Sequence, residues 1–307
     1  LLNAKRAELF LSALQRRAPV YYRHVEKTYR SHTDIFTSLG GRLLELAESV
    51  LGTDYAEVLI DGYIFFVNEV NRSQIVYEKE KHYRFKSYAE VLPRVYDEQE
   101  YMNRYHWGVY VTTFAWAHHL EIYKFYVDHF LSRLLRRSDG TIVDLGSGSG
   151  VWSIVALDCL ENWRSYGVDI SSASVSTCQR MIQAAGLDRR FEVRRGDALT
   201  FRPAQTADAA VSCFLLEHLE NPRGLLGALH GLIGDRAYAF VTTALTAAEI
   251  DHIYEFRAES ELLTLAEGSG FRVVAMLSSA PKEAPESSFF LPRSVALVLQ
   301  KKRNEIW

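Results

Sequence analysis

The 307-residue chain predicts an α/β protein, a mostly parallel sheet clad in helices, preceded by an all-helical segment. Three observations carry that expectation. Past residue 138, short apolar runs alternate with helical periods, the pattern of a sheet covered on both faces. The first 137 residues hold only two prolines, Pro19 and Pro93, and repeat apolar residues at helical spacing. Between them lies Asp139-Gly140, a turn dipeptide. We therefore expect a helical domain over 1–137 and a sheet domain over 138–307.

In the first segment, Val58, Leu59, Phe66, Val67 and Val70 recur at helical spacing, and Ser87-Tyr88-Ala89-Glu90 is a capping box. Its unusual feature is aromatic density from Tyr77 to Tyr126. Within that stretch, Tyr105, Val109, Thr112, Trp116, His119, Tyr123 and Tyr126 alternate steps of four and three. The spacing predicts one face of one helix. On such a helix His118 and His119 point about 100° apart, so at most one of them faces a site.

The second segment starts with a strand over 140–145 and a helix over 150–161. A strand at 165–169 and a helix at 171–185 follow, then strands at 191–196 and 208–213. Asn221-Pro222 starts the next helix, with Asn as the cap and Pro at the first helical position. A strand over 237–243, a helix over 258–267 closed by Gly268, and strands at 271–277 and 294–300 complete the set.

The most informative residues are Thr141-Ile142-Val143-Asp144-Leu145-Gly146-Ser147-Gly148-Ser149-Gly150. An apolar strand runs into glycines that turn the backbone tightly and let it approach a ligand. About twenty residues on, the strand Tyr166-Gly167-Val168 ends at Asp169, whose carboxylate suits two ribose hydroxyls. This is the grammar of a nucleoside site. A dinucleotide fingerprint, G-x-G-x-x-G, would place its third glycine at position 151, which is Val151.

The spacing G-x-G-x-G behind Asp144 instead resembles the class I S-adenosylmethionine (SAM)-dependent methyltransferases of small-molecule type. Three further segments match: Arg195-Gly196-Asp197-Ala198, the run Ala209 to Phe214 followed by Leu216-Glu217-His218-Leu219, and Gly270-Phe271-Arg272-Val273-Val274. The resemblance covers roughly 138–307 and implies a Rossmann-like sheet whose last strand is antiparallel. It also implies SAM as cofactor, held by Asp144, Gly146, Gly148, Gly150, Asp169, Ile170, Asp197, Ala198 and Cys213. In many such enzymes the helix before the first strand lids the pocket. Tyr101, Tyr105, Trp107 and Trp116 are then lid residues, with Tyr101 and Trp116 against SAM and Arg104 a partner for its carboxylate. A sulfonium is a cation, and aromatic faces attract cations by up to roughly 2 kcal/mol when desolvated.

Composition narrows the acceptor. A net charge of −3 gives no electrostatic reason to expect nucleic acid, and no membrane span is present. Three cysteines, widely spaced, read as reduced thiols of a cytoplasmic enzyme. A small-molecule acceptor, as in biosynthesis, is the expectation. Some methyltransferases bind a divalent ion through Glu-x-x-Glu-His; here the upstream position is Phe214, so no metal is expected at Glu217-His218.

SAM is already activated, so no covalent nucleophile is needed, and a base matters only for a poorly nucleophilic acceptor. Tyr105, His119 and His252 are the catalytic candidates, with His106 in the same pool and Tyr254 on the substrate side. A second reading keeps the fold and changes the reaction. A closed aromatic cage with no room for an acceptor would let the SAM amine attack its own γ-carbon, giving azetidine-2-carboxylate and methylthioadenosine. That resembles the bacterial SAM-cyclising members of the fold. A third reading is a non-catalytic SAM-binding module, against which the glycine loop, Asp169 and Asp197 argue.

Overall fold

A computed structural model describes residues 2–96, 98–281 and 291–303. The helices are α1 (Leu2–Arg17), α2 (Pro19–Ser31), α3 (Thr33–Ile35), α4 (Gly41–Leu51), α5 (Tyr55–Glu80), α6 (Tyr88–Val91), α7 (Gln99–Ala115), α8 (Ala117–Phe125), α9 (Ser132–Leu134), α10 (Val151–Cys159), α11 (Ser172–Ala184), α12 (Pro222–Leu232) and α13 (Glu259–Gly268). The strands are β1 (Gly140–Leu145), β2 (Trp163–Asp169), β3 (Phe191–Arg195), β4 (Ala207–Cys213), β5 (Ile233–Leu245), β6 (Phe271–Ser279) and β7 (Arg293–Lys301).

Seven strands form one sheet in the order β3-β2-β1-β4-β5-β7-β6. The first five run parallel, whereas β7 is antiparallel to both β5 and β6. The chain leaves β1 toward β2 on one side and later returns to β4 on the other. That reversal opens a crevice at the carboxyl ends of β1 and β4, where open α/β sheets bind ligands. β5 begins at Ile233, four residues before the expected start, because α12 runs into it without a loop.

Alternating strand residues sort into two cores. Ile142, Val211 and Phe240 face Tyr126, Phe130 and the buried residues of the N-terminal helices. Val143, Leu145 and Val241 face α12 and α13 through Leu225, Leu229 and Leu262. The N-terminal helices thus share a continuous apolar core with one face of the sheet. Within them α5 and α7 cross at glycine: a Cβ on Gly108 would sit 2.5 Å from the Gly62 carbonyl oxygen and 2.4 Å from Phe66 Cβ. Ser87 and Glu90 do form a capping box, at the start of α6.

The aromatic stripe does not lie on one helix. Trp116 adopts φ −103° and ψ 128°, an extended residue that ends α7 and starts α8. The break re-aims the chain, so the periodicity that continues through it no longer marks one face. Tyr123 and Tyr126 pack toward the sheet side, Tyr126 with Trp152 and Phe240. Cys159, Cys178 and Cys213 are free thiols, and no helix among the described residues is long and apolar enough to cross a membrane.

Candidate functional site

The glycine loop is shaped by its backbone. Gly146, Gly148 and Gly150 have φ of +73°, +54° and +79°, the left-handed region in which a side chain is strained. The Gly146 and Ser147 amides donate to the Val168 carbonyl at 2.8 and 3.1 Å, which ties the loop to the end of β2. Asp169 completes the junction: its carboxylate accepts from the Gly148 amide and from the Ser171 amide, each at 2.9 Å. A carboxylate has about four lone-pair positions, so it keeps room to accept from a ligand hydroxyl. A Cβ placed on Gly148 would meet nothing within 4 Å, so the loop presents open backbone to the crevice. These features fit the ribose and methionyl arm of SAM.

A cavity of about 990 Å³ starts at this loop and runs between the sheet and the N-terminal helices. Gly146, Gly148, Asp169, Ile170, Asp197, Ala198 and Cys213 line it, as do Tyr105, Trp116, His119 and His252. It continues past them to Tyr21 and Thr28 on α2 and to Val67, Val70 and Asn71 on α5. The Asp197 carboxylate accepts from the Leu199 amide at 2.8 Å, which fixes it at the mouth beside Ala198.

Three expected cofactor contacts lie elsewhere. Asp144 is 2% exposed and accepts from Ser153 Oγ at 2.7 Å, and that hydroxyl accepts from Ser165 Oγ at 2.9 Å. It clasps α10 to the sheet, and burial pushes its carboxyl up to about 7. Gly150 caps α10 at a point where a Cβ would lie 2.6 Å from Cys178 Sγ, so the reason for glycine there is packing. Tyr101 stands one layer behind the wall, edge-on to Phe65 and stacked on Tyr105. Trp107 is buried against Tyr110, Arg104 lies over the Phe65 ring, and Tyr254 packs on Phe256.

Both His118 and His119 line the cavity, which corrects the expectation that only one would. They sit in the first turn of α8, just after the extended Trp116, with ring centres 4.5 Å apart. Burial lowers His118 to about 4, and His119, 3.2 Å from the Thr112 carbonyl, also lies well below the usual imidazole range. His106 faces Ser174 Oγ at 2.9 Å and is lowered by burial to about 4.

Sequence reasoning named His252 and Tyr105 but missed the acids beside them on the wall opposite, Asp251 and Glu249. Asp251, 1% exposed, accepts from the hydroxyls of Tyr96 and Tyr105 at 3.1 Å, and its Oδ2 lies 3.4 Å from His218 Nδ1. Burial alone would raise this carboxyl, but His218 holds it well below the carboxylate range. Burial would lower His218 too, and Asp251 instead pushes it up to about 10. Glu249 accepts from Tyr105 at 3.1 Å; burial and the Asp251 charge push it up to about 8. His252 is lowered to about 3, by burial first and by His218 second. The one signal in the chain was Glu249, Asp251 and His252 within four residues of the loop after β5. Glu217 is fully buried and tied to β5, accepting from Thr243 Oγ1 at 2.7 Å and the Ala244 amide at 3.1 Å.

Comparison with known proteins agrees with the fold. An O-methyltransferase family protein from Burkholderia thailandensis superposes with a TM-score of 0.56 at 13% identity, over 83% of this chain and 74% of that one. An O-methyltransferase from a trans-AT PKS multienzyme of Brevibacillus brevis, solved with S-adenosyl-L-homocysteine, gives a TM-score of 0.45 at 13% identity, over 53% and 66%. At 13% identity the first of these likenesses is one of fold alone. No curated protein matches the chain. Residues 116–276, just over half of it, match the family model described as a methyltransferase domain.

Proposed function

From the premise that this chain belongs to the methyltransferase-domain family, we propose that it transfers the methyl group of SAM to a small-molecule acceptor of specialised metabolism. The observation that carries this reading is the cavity. Pockets of roughly 300–1,000 Å³ hold a drug-sized ligand. At about 990 Å³, extending from the glycine loop to α2 and α5, this one has space beyond a bound nucleoside. That space is what a second reactant needs, and it weighs against a cage closed around SAM alone.

Bound SAM supplies a methyl carbon already activated by its sulfonium. The protein's part is position. Gly146, Gly148 and Asp169 hold the nucleoside end, while Trp116, Tyr105 and the first turn of α8 cover the crevice and exclude water. Alignment of two reactants can contribute on the order of 7–11 kcal/mol. A proton leaving the acceptor has His119, His252 and Glu249 along the wall. The two imidazoles bind protons weakly, so Glu249, at about 8, is the group best matched to neutral pH.

Labelled SAM tests the reading. S-adenosylhomocysteine that accumulates only when a small-molecule extract is added supports methyl transfer. Methylthioadenosine formed without any acceptor replaces that reading with cyclisation. SAM binding in calorimetry without either product would leave a binding module.

A further inference from the structure

The loop after β5 carries more hydrogen-bond acceptors than donors. β5 stands two strands from β1, so at ~4.8 Å per strand this loop lies about 10 Å along the sheet edge from the glycine loop, in the acceptor half of the cavity. One ligand-type atom each from Glu249, Asp251 and His252 lies within 4.8 Å of the others. His252 is 2% exposed, and its Nδ1 sits 2.7 Å from the Ala247 carbonyl. That contact fixes the ring proton on Nδ1 and leaves Nε2 as a bare lone pair. The lone pair lies 3.8 Å from Glu249 Oε2, beyond hydrogen-bond reach, and no hydrogen bond from a described residue meets it.

The two tyrosine hydroxyls nearby are already committed. Tyr96 gives its hydroxyl to Asp251, and the single hydroxyl hydrogen of Tyr105 is shared between Asp251 and Glu249. His218 turns its Nδ1 to Asp251, and its ring stands edge-on to His252 with centres 4.8 Å apart. Glu249 therefore faces His252, and the His218 cation that acts on it has Asp251 as its partner. Resting on the methyl-transfer reading above, we infer that Glu249, His252 and the edge of Asp251 form the docking site for an ammonium group of the acceptor, which is accordingly an amine with an apolar body.

Three convergent acceptors match the three N–H donors of a primary ammonium. The rings of Tyr88, Tyr96 and Tyr105 line the same cavity, and aromatic walls attract an organic cation. A divalent ion is the other ligand these three atoms could take, and manganese tests it below. The raised proton affinity of Glu249 follows from burial and the neighbouring Asp251 charge, which together outweigh the His218 cation.

The test is calorimetry on the full chain saturated with S-adenosylhomocysteine. Tyramine, phenethylamine and hexylamine are compared with the alcohols tyrosol, phenylethanol and hexanol. We expect at least one amine to bind roughly tenfold or more tighter than its alcohol, the scale of a hydrogen bond to a charged group. Glu249→Gln should abolish that preference. The wild type offers an independent readout: amine binding near pH 7 should release protons, seen as a dependence of the heat on buffer ionisation, as Glu249 ionises. No preference for any amine, or a preference that survives Glu249→Gln, overturns the site. Manganese binding that Glu249→Gln removes would make it a metal site instead. If Glu249→Gln weakens S-adenosylhomocysteine tenfold and spares the amine preference, the ammonium is the cofactor's and the acceptor assignment falls. Failure of the wild type to bind S-adenosylhomocysteine would sink the methyl-transfer reading itself.

Discussion

The Gly148 amide donates to the Asp169 carboxylate at 2.9 Å, so the glycine loop and the acid at the end of β2 are one rigid unit. Removing the acid frees the loop as well as deleting its contact with a ligand. Asp169→Ala should weaken SAM binding by roughly 1.5–3 kcal/mol, the range for a hydrogen bond to a charged group. Asp169→Asn, whose amide oxygen still accepts, should lose less. Calorimetry decides between them, and binding of NADH in place of SAM would refute the nucleoside assignment.

Trp116 lines the cavity at the break between α7 and α8, held by its Nε1 donating to the Tyr63 hydroxyl at 3.3 Å. If its ring stabilises the sulfonium, Trp116→Leu should weaken SAM more than S-adenosylhomocysteine, by about 0.5–2 kcal/mol. Tyr105→Leu should do the same and also disturb Asp251. An unchanged affinity ratio with a lower melting temperature would assign both rings to packing.

Asp144 is a buried acid whose carboxyl stands near 7, well above an unfolded aspartate. A folded-state value raised in this way stabilises fully below about pH 4 and is lost as pH rises through 7. The fold should therefore lose stability, by a few kcal/mol at most, between pH 4 and 8. Asp144→Asn keeps an acceptor for Ser153 and should flatten that slope while leaving SAM affinity unchanged. Urea melts at several pH values check this.

Gly108 lets α7 touch α5. Gly108→Ala forces its Cβ against the Gly62 carbonyl and Phe66, and should cost roughly 1–3 kcal/mol, the usual price of overpacking. Because Tyr105 and Met102 ride on the same helix, SAM affinity should fall together with melting temperature.

Activity should survive EDTA. Glu217 is tied to Thr243 and Ala244 on β5, and Phe214 stands where a further acid would be needed. Turnover lost on chelation and restored by magnesium would contradict this.

The order of strands and helices, the glycine loop and Asp169 were all legible from local pattern. Strand and helix periods report which residues an element buries, and Gly146 and Gly148 declare the turn by their conformational freedom. Asp144 misled because a carboxylate beside the loop reads as a ligand contact, whereas Ser153, nine residues on along α10, turns it inward. The stripe from Tyr105 to Tyr126 misled for a similar reason. Its period runs unbroken through Trp116, but one extended residue redirects everything after it.

By itself, the sequence determined the α/β alternation, the nucleoside loop and the acid that completes it, since each rests on residues a few positions apart. Only the tertiary structure decided what faces that loop. Tyr96 and Tyr105 reach Asp251 across 155 and 146 positions of chain, and His218 reaches it across 33. No periodicity encodes such meetings. They arise because α5 and α7 pack over the carboxyl ends of the strands, where burial strips water from the acids and leaves only side chains from distant segments to satisfy them.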